Sequence, residues 1–204
     1  MDELDLLKKD WNKANQSYPS LSYDEIYKMI HAKSSSIVKW IFYISMIELG
    51  IGLLLIVINP RFDDQIIYPQ WLEAIGYLTV PIILYFTYMF YKNYKAITTT
   101  DNVKNLIKSI LKTRKTVKHY VLFNIISSGI FSAIAVFIGF TQASGGFEKF
   151  NETAHFKEYA ILILSIVLLT VLIIAILYGI YYLLYGILLK RLNRNYKELK
   201  KLEV

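Results

Sequence analysis

Four apolar runs, each long enough to cross a bilayer as a helix, dominate what this chain can fold into. A helix needs about 20 mostly apolar residues for that crossing. Runs at roughly 37–58, 71–91, 120–141 and 159–189 meet the length. None alternates with a period of two over about ten residues, the pattern of a transmembrane β-strand. The expected fold class is therefore all-α: a polytopic membrane protein with four transmembrane helices in two hairpins, and amphipathic cytoplasmic helices between and around them. The first 36 residues are too polar for a signal peptide, so the first run is expected to stay as an anchor.

Charge orients this arrangement. The net charge is +7, and nearly all Lys and Arg lie before the first run, between the second and third, and after the fourth. The middle segment alone carries Lys92, Lys95, Lys104, Lys108, Lys112, Arg114, Lys115 and Lys118, whereas the other two loops offer Arg61, Lys149 and Lys157. The positive-inside rule then places both termini and the middle segment in the cytoplasm. Topology and attraction to anionic headgroups account for the basic charge, so nucleic acid is not an expected partner and membrane lipid is. The divisions expected are a cytoplasmic part at 1–36, a first hairpin at 37–91, a basic amphipathic helix at 92–119, a second hairpin at 120–189 and a tail at 190–204.

The two hairpins look alike. "LTVPII" at 78–83 recurs as "LTVLII" at 169–174, and "VKWIFYISMIELGI" from Val38 aligns with "VKHYVLFNIISSGI" from Val117. A duplicated two-span unit keeps its orientation, so the repeats would be parallel, related by a pseudo-two-fold along the membrane normal.

The polar segments carry helix signals. Leu4, Leu7, Trp11 and Ala14 fall on one helical face, broken at Pro19. Ser22 and Glu25 form a capping box, with Leu21 and Ile26 as its staple. The helix they open is expected to run through His31 into the first span. Asp101 is the expected cap of a helix with Val103, Leu106, Ile107, Ile110, Leu111 and Val117 on one face and lysines on the other, continuing into the third span. The fourth run, at about 31 residues and ~1.5 Å each, reaches roughly 46 Å against a hydrocarbon core of about 30 Å. It must tilt or project, and "RLNRNYKELKKL" after it reads as a solvated helix end.

One acid stands in the first span. Glu48, in "SMIELGIG", lies where a charged side chain costs roughly 2.5–3.5 kcal/mol on insertion scales. On the third run Asn124, Ser128 and Ser132 recur at four-residue steps, with Ser127 beside them, so this stripe should face protein. Glu48 is expected to point inward and hydrogen-bond to Ser128 or Ser127. Two roles are open to it: a polar latch between hairpins, or a proton- or cation-binding site. The tyrosines near the inner ends of spans two and four read mostly as an interfacial belt. Gly129 with Ala133, and Ala175 with Gly179, are small pairs that let helices approach.

Little else suggests chemistry. The chain has no cysteine, and its three histidines, His31, His119 and His155, fall on two sides of the bilayer. Gly-rich phosphate loops and HExxH or GxSxG patterns are absent. The expectation is a protein that is not an enzyme, with no metal and no cofactor.

"LDLLKKDW…YPSLSYDEIYKMIHAKSSSIVKWIF" together with "TTDNVKNLIKSILKTRKTVKHYV" resembles a family of uncharacterised small four-span bacterial membrane proteins, over the N-terminal two-thirds of the chain. Some members are labelled carotenoid oxygenases. Such enzymes hold iron with four histidines, which this chain does not have. Members resemble neighbours of alternative sigma factors, and an amphipathic helix before a membrane anchor is similar to membrane-tethered anti-sigma regulators. The His and Cys ligands of the zinc type are absent here. The resemblance implies a bacterial inner membrane location and a regulatory role. Three functions follow as expectations. The first is a membrane-anchored adaptor or regulator, of which an anti-sigma-like regulator is one form, presenting residues 2–33 and 101–118 to a cytosolic or membrane protein partner, with Leu4, Leu7 and Trp11 as its contacts. The second is a small transporter or channel-like subunit with Glu48 as its ionisable site. The third is a structural subunit of a larger complex, in which a second copy of the chain is one candidate neighbour.

Overall fold

The computed structural model describes residues 22–58, 68–100 and 102–202. Among them every regular element is helical: α1 (Tyr23–Ile58), α2 (Gln70–Thr98), α3 (Val103–Ala143), a short α4 (Phe147–Thr153), α5 (Phe156–Tyr181), a π-helical turn (Tyr182–Gly186) and α6 (Ile187–Leu202). α5, the π turn and α6 follow without a break. Four helices are long and apolar enough to cross a membrane, namely α1, α2, α3 and the continuous rod from Phe156. Leu4, Leu7 and Trp11 lie outside the described residues.

Local chemistry explains the helix ends. The Ser22 N–H donates to Glu25 Oε2 at 2.8 Å, and the Glu25 N–H donates to Ser22 Oγ at 3.3 Å, which is the expected capping box. α1 then runs unbroken for 36 residues through the serine-rich stretch. α3 is capped by Asn102, whose side chain accepts from the Lys104 N–H at 2.8 Å. The cap therefore falls at Asn102 rather than at Asp101, itself outside the described residues. α3 is a single rod of 41 residues, as the lack of Pro or Gly before Gly129 predicts. Its end turns at Gly145 and Gly146, with φ of 94° and 106°, a region where a Cβ is unwelcome.

Consecutive helices are neighbours: α1 packs on α2, α2 on α3, α3 on α5, and α6 returns to α1. The packing is uneven along the bundle. At the basic end, a cluster of Ile30, Val38, Ile97, Leu106, Ile110, Leu192 and Leu199 is buried between α1, α2, α3 and α6. Most of the apolar stripe of α3 is thus covered by the chain itself, with Leu111 at its edge left exposed. The tail differs from expectation in the same way. Leu192, Asn195 and Leu199, at three- and four-residue steps, are buried, so "RLNRNYKELKKL" is one wall of the bundle rather than a solvated end. Fully burying a leucine stabilises by about 1.5–3 kcal/mol. The buried polar groups here are paired: Asn195 Nδ2 donates to Ser34 Oγ at 3.0 Å, and Asn93 Nδ2 donates to Thr116 Oγ1 at 3.1 Å. His31 Nε2 sits 2.7 Å from the Ile97 carbonyl, joining α1 to α2.

Towards the other end this core stops. α1 has no buried residue from Met46 to Ile58, and α5 has one, Leu162. The α3–α5 pair stays close, since a Cβ added to Gly129 would lie 3.1 Å from Ile174 Cδ1. α4 covers the end of that pair, with Phe150 packed edge-on against Phe140 and Tyr159.

Candidate functional site

The point where the core ends is marked by Glu48. A second apolar cluster, Ile41, Phe90, Val117, Tyr120 and Tyr185, lies on its basic side. Tyr120 is the hub of that layer. Its ring packs edge-on against Phe86 at 5.4 Å, Phe90 at 5.3 Å and Tyr185 at 5.8 Å. Both tyrosine hydroxyls turn to the acid: Tyr120 donates to Glu48 Oε2, and Tyr185 donates to the same oxygen at 3.1 Å. The carboxylate thus joins α1 to α3 and to the π turn. Oε1 carries no hydrogen bond among the described residues.

These are not the partners expected from sequence. Glu48 does face the interior and bond to α3, but through Tyr120 rather than Ser127 or Ser128. The serines are two turns further along the helix, whereas a tyrosine spans the difference in depth with its ring. Tyr185 is 1% exposed, so it belongs to the core and not to an interfacial belt. Tyr85, Tyr88, Tyr91, Tyr178 and Tyr182 are exposed, as a belt requires.

Glu48 also lines a groove of about 380 Å³ between α1 and α2. Its walls include Leu49, Gly52, Leu53, Gly76, Tyr77 and Thr79, and Glu73 stands in it near the start of α2. Two glycines widen it. A Cβ built on Gly52 or Gly76 would meet nothing within 4 Å, so the space beside them is open. A second hollow of about 370 Å³ adjoins along Thr79 and Ile83, which line both. Asn124, Ser127, Ser128 and Phe131 of α3, with Ile173 and Leu177 of α5, form its other walls. The polar stripe of α3 therefore faces a cavity. Asn124 Nδ2 also donates to the Tyr120 carbonyl at 2.9 Å, which leaves its amide oxygen as an acceptor. Ser132 behaves differently: it donates to the Gly129 carbonyl at 3.0 Å and lies 3.4 Å from Thr170 Oγ1, joining α3 to α5 away from Glu48.

The arrangement has one chemical capacity that stands out. Two phenols fix one carboxylate oxygen and hold the side chain still, while the other oxygen is available for a proton or a cation. The polar atoms around the two hollows are oxygen-rich, and no Lys or Arg lines either one. A cation entering there would meet acceptors and no competing positive charge.

The chain belongs to a family described as a domain of unknown function (DUF8845), whose model matches residues 24–204. No curated protein and no solved structure matches the chain. The match contains Glu48, Tyr120, Tyr185 and both hollows, and the stripe of Leu4, Leu7 and Trp11 precedes it.

Proposed function

We propose that the protein is a small inner-membrane protein of the transporter type, which binds a proton or a cation at Glu48. In this reading α1, α2, α3 and α5 cross the bilayer, the basic end with both termini lies in the cytoplasm, and the two hairpins are parallel repeats. The observation that carries it is the division of labour on one side chain: Glu48 Oε2 is held by Tyr120 and Tyr185, and Glu48 borders a groove that runs towards Glu73. The layer of Ile41, Phe90, Val117, Tyr120 and Tyr185 closes the cytoplasmic side of the acid. The acid is then reached from the outer side, and an opening of that layer would complete a transport cycle.

Infrared difference spectroscopy on the protein in liposomes tests this. Stepping the pH should change one carboxyl C=O band that is missing in Glu48→Gln. A band in that position that ignores bulk pH would leave Glu48 as a latch.

The adaptor reading draws on a different part of the chain. Leu106, Ile110 and Val117 are buried against the chain's own helices, whereas Tyr23, Met29 and Leu111 are exposed, so an adaptor or anti-sigma-like regulator would work through those residues or through the segment before Ser22. Removal of residues 1–20, followed by comparison of co-purifying membrane proteins, tests that segment separately.

A further inference from the structure

A third hollow, of about 390 Å³, lies on the flank of the bundle between α3 and the π turn. It shares Tyr185 with the Glu48 site but opens elsewhere. Its chemistry changes from one end to the other. Lys118 stands at the basic end, and Leu122 and Ile125 follow one and two turns along α3. Arg114 and Lys115 lie one turn before Lys118 on the same helical face. The opposite wall is aromatic, formed by Tyr178, Tyr181 and Tyr182.

The π turn borders this space through Tyr182, Tyr185 and Gly186. Five residues in π geometry, Tyr182–Gly186, interrupt an otherwise regular rod, and such turns are frequent at functional sites. Gly186 has a matching role. A Cβ there would lie 2.9 Å from Cδ2 of the Tyr182 ring, so only glycine lets that ring lie back against the helix. A regular helix with alanine at 186 would push Tyr182 into the hollow.

We propose that this hollow is a binding site for an anionic phospholipid of the cytoplasmic leaflet. The proposal rests on the reading that the helices cross a membrane with the basic end inside. The headgroup phosphate sits at Lys118, with Arg114 and Lys115 supplying further positive charge beside it. The tyrosine rings flank the glycerol region, and one acyl chain lies along Leu122 and Ile125. Charge complementarity selects the lipid: the polar end of the hollow is cationic, and the exposed rings and aliphatic side chains suit the lipid's own amphipathic length. A zwitterionic lipid would fill the apolar part equally well but gain less at Lys118.

Native mass spectrometry of the full chain, released from micelles containing equal phosphatidylglycerol and phosphatidylcholine, tests the assignment. The expected result is one phosphatidylglycerol retained per chain in preference to phosphatidylcholine. Lys118→Gln should lower that preference by about fivefold, the loss expected for one cationic contact at an anionic surface. Lys104→Gln, an exposed lysine earlier on α3, is the control and should not lower it. Gly186→Ala should reduce retention of both lipids. Glu48→Gln should leave the preference intact, which separates this site from the proposed ion site. Equal retention of the two lipids by the wild type overturns the proposal, and so does an equal loss with Lys104→Gln and Lys118→Gln.

Discussion

Tyr185 and Glu48 are 137 residues apart in sequence, yet the Tyr185 hydroxyl donates to Glu48 Oε2 at 3.1 Å, beside the bond from Tyr120. The first and last long helices of the bundle are joined at that oxygen. Tyr120→Phe and Tyr185→Phe keep the rings in place and remove one donor each. Each should cost about 0.5–2 kcal/mol, the range for interhelical hydrogen bonds in membranes. A double-mutant cycle of either with Glu48→Leu, which removes the acceptor, followed by unfolding in detergent, should show coupling. Additive losses would mean the phenols and the acid act independently.

Asn195 and Ser34 make a second link between the same two helices, inside the basic core. Ser34→Ala leaves the Asn195 amide buried without its acceptor, at a cost of about 1–3 kcal/mol. Replacing both partners, as Ser34→Ala with Asn195→Leu, should restore most of the loss. Thermal unfolding of the single and double variants measures this, and a double variant weaker than the sum of the singles would contradict it.

Much of this architecture was legible in the sequence, for a physical reason. Length and apolarity identify the four long helices, and the Ser22–Glu25 box sits where local chemistry alone defines a helix start. What was missed lies where contacts are non-local. The stripe Leu192, Asn195, Leu199 was visible as a periodicity, but the many Lys and Arg between its members made the tail look solvated. The serine stripe of α3 correctly marked a polar face, yet not what that face meets, because a cavity has no sequence signature. Glu48 stood out in the sequence as an isolated acid. Its partners did not, since tyrosines at an expected membrane boundary read as a belt. Only the packing of Tyr120 on Phe86 and Phe90 sets them apart.

The capping box predicts a pH effect at the start of α1. The Ser22 backbone N–H, then its hydroxyl, hold the Glu25 carboxyl below its ordinary range. A carboxyl lowered in the folded state contributes stability that is present above its unfolded value and lost as pH falls through its folded value. The protection of residues 23–26, taken as amide exchange relative to the intrinsic rate at each pH, should therefore fall on acidification below about pH 4. In Glu25→Gln the protection should lose that pH dependence. A loss of protection of equal size in both would assign the effect to another group.

The proposed orientation rests on the basic residues. A reporter active only outside the cytoplasm, fused after Val204, should stay silent, and one placed in the loop between α1 and α2 should be active. The reverse pattern would invert the membrane reading and with it the direction in which the Glu48 groove opens.

The central claim is that water reaches Glu48 from the outer side and stops at the aromatic layer. The chain has no cysteine, so each introduced thiol is unique. Gly52 and Gly76 line the groove and have room for a side chain. Gly52→Cys and Gly76→Cys, in sealed membranes, should react with a membrane-impermeant thiol reagent applied from the outer side and not from the cytoplasmic side. Val117→Cys, in the closed layer, should react from neither. Failure of Gly52→Cys to react from the outer side would mean that the groove is filled by lipid, and Glu48 would then have no route to a proton or a cation.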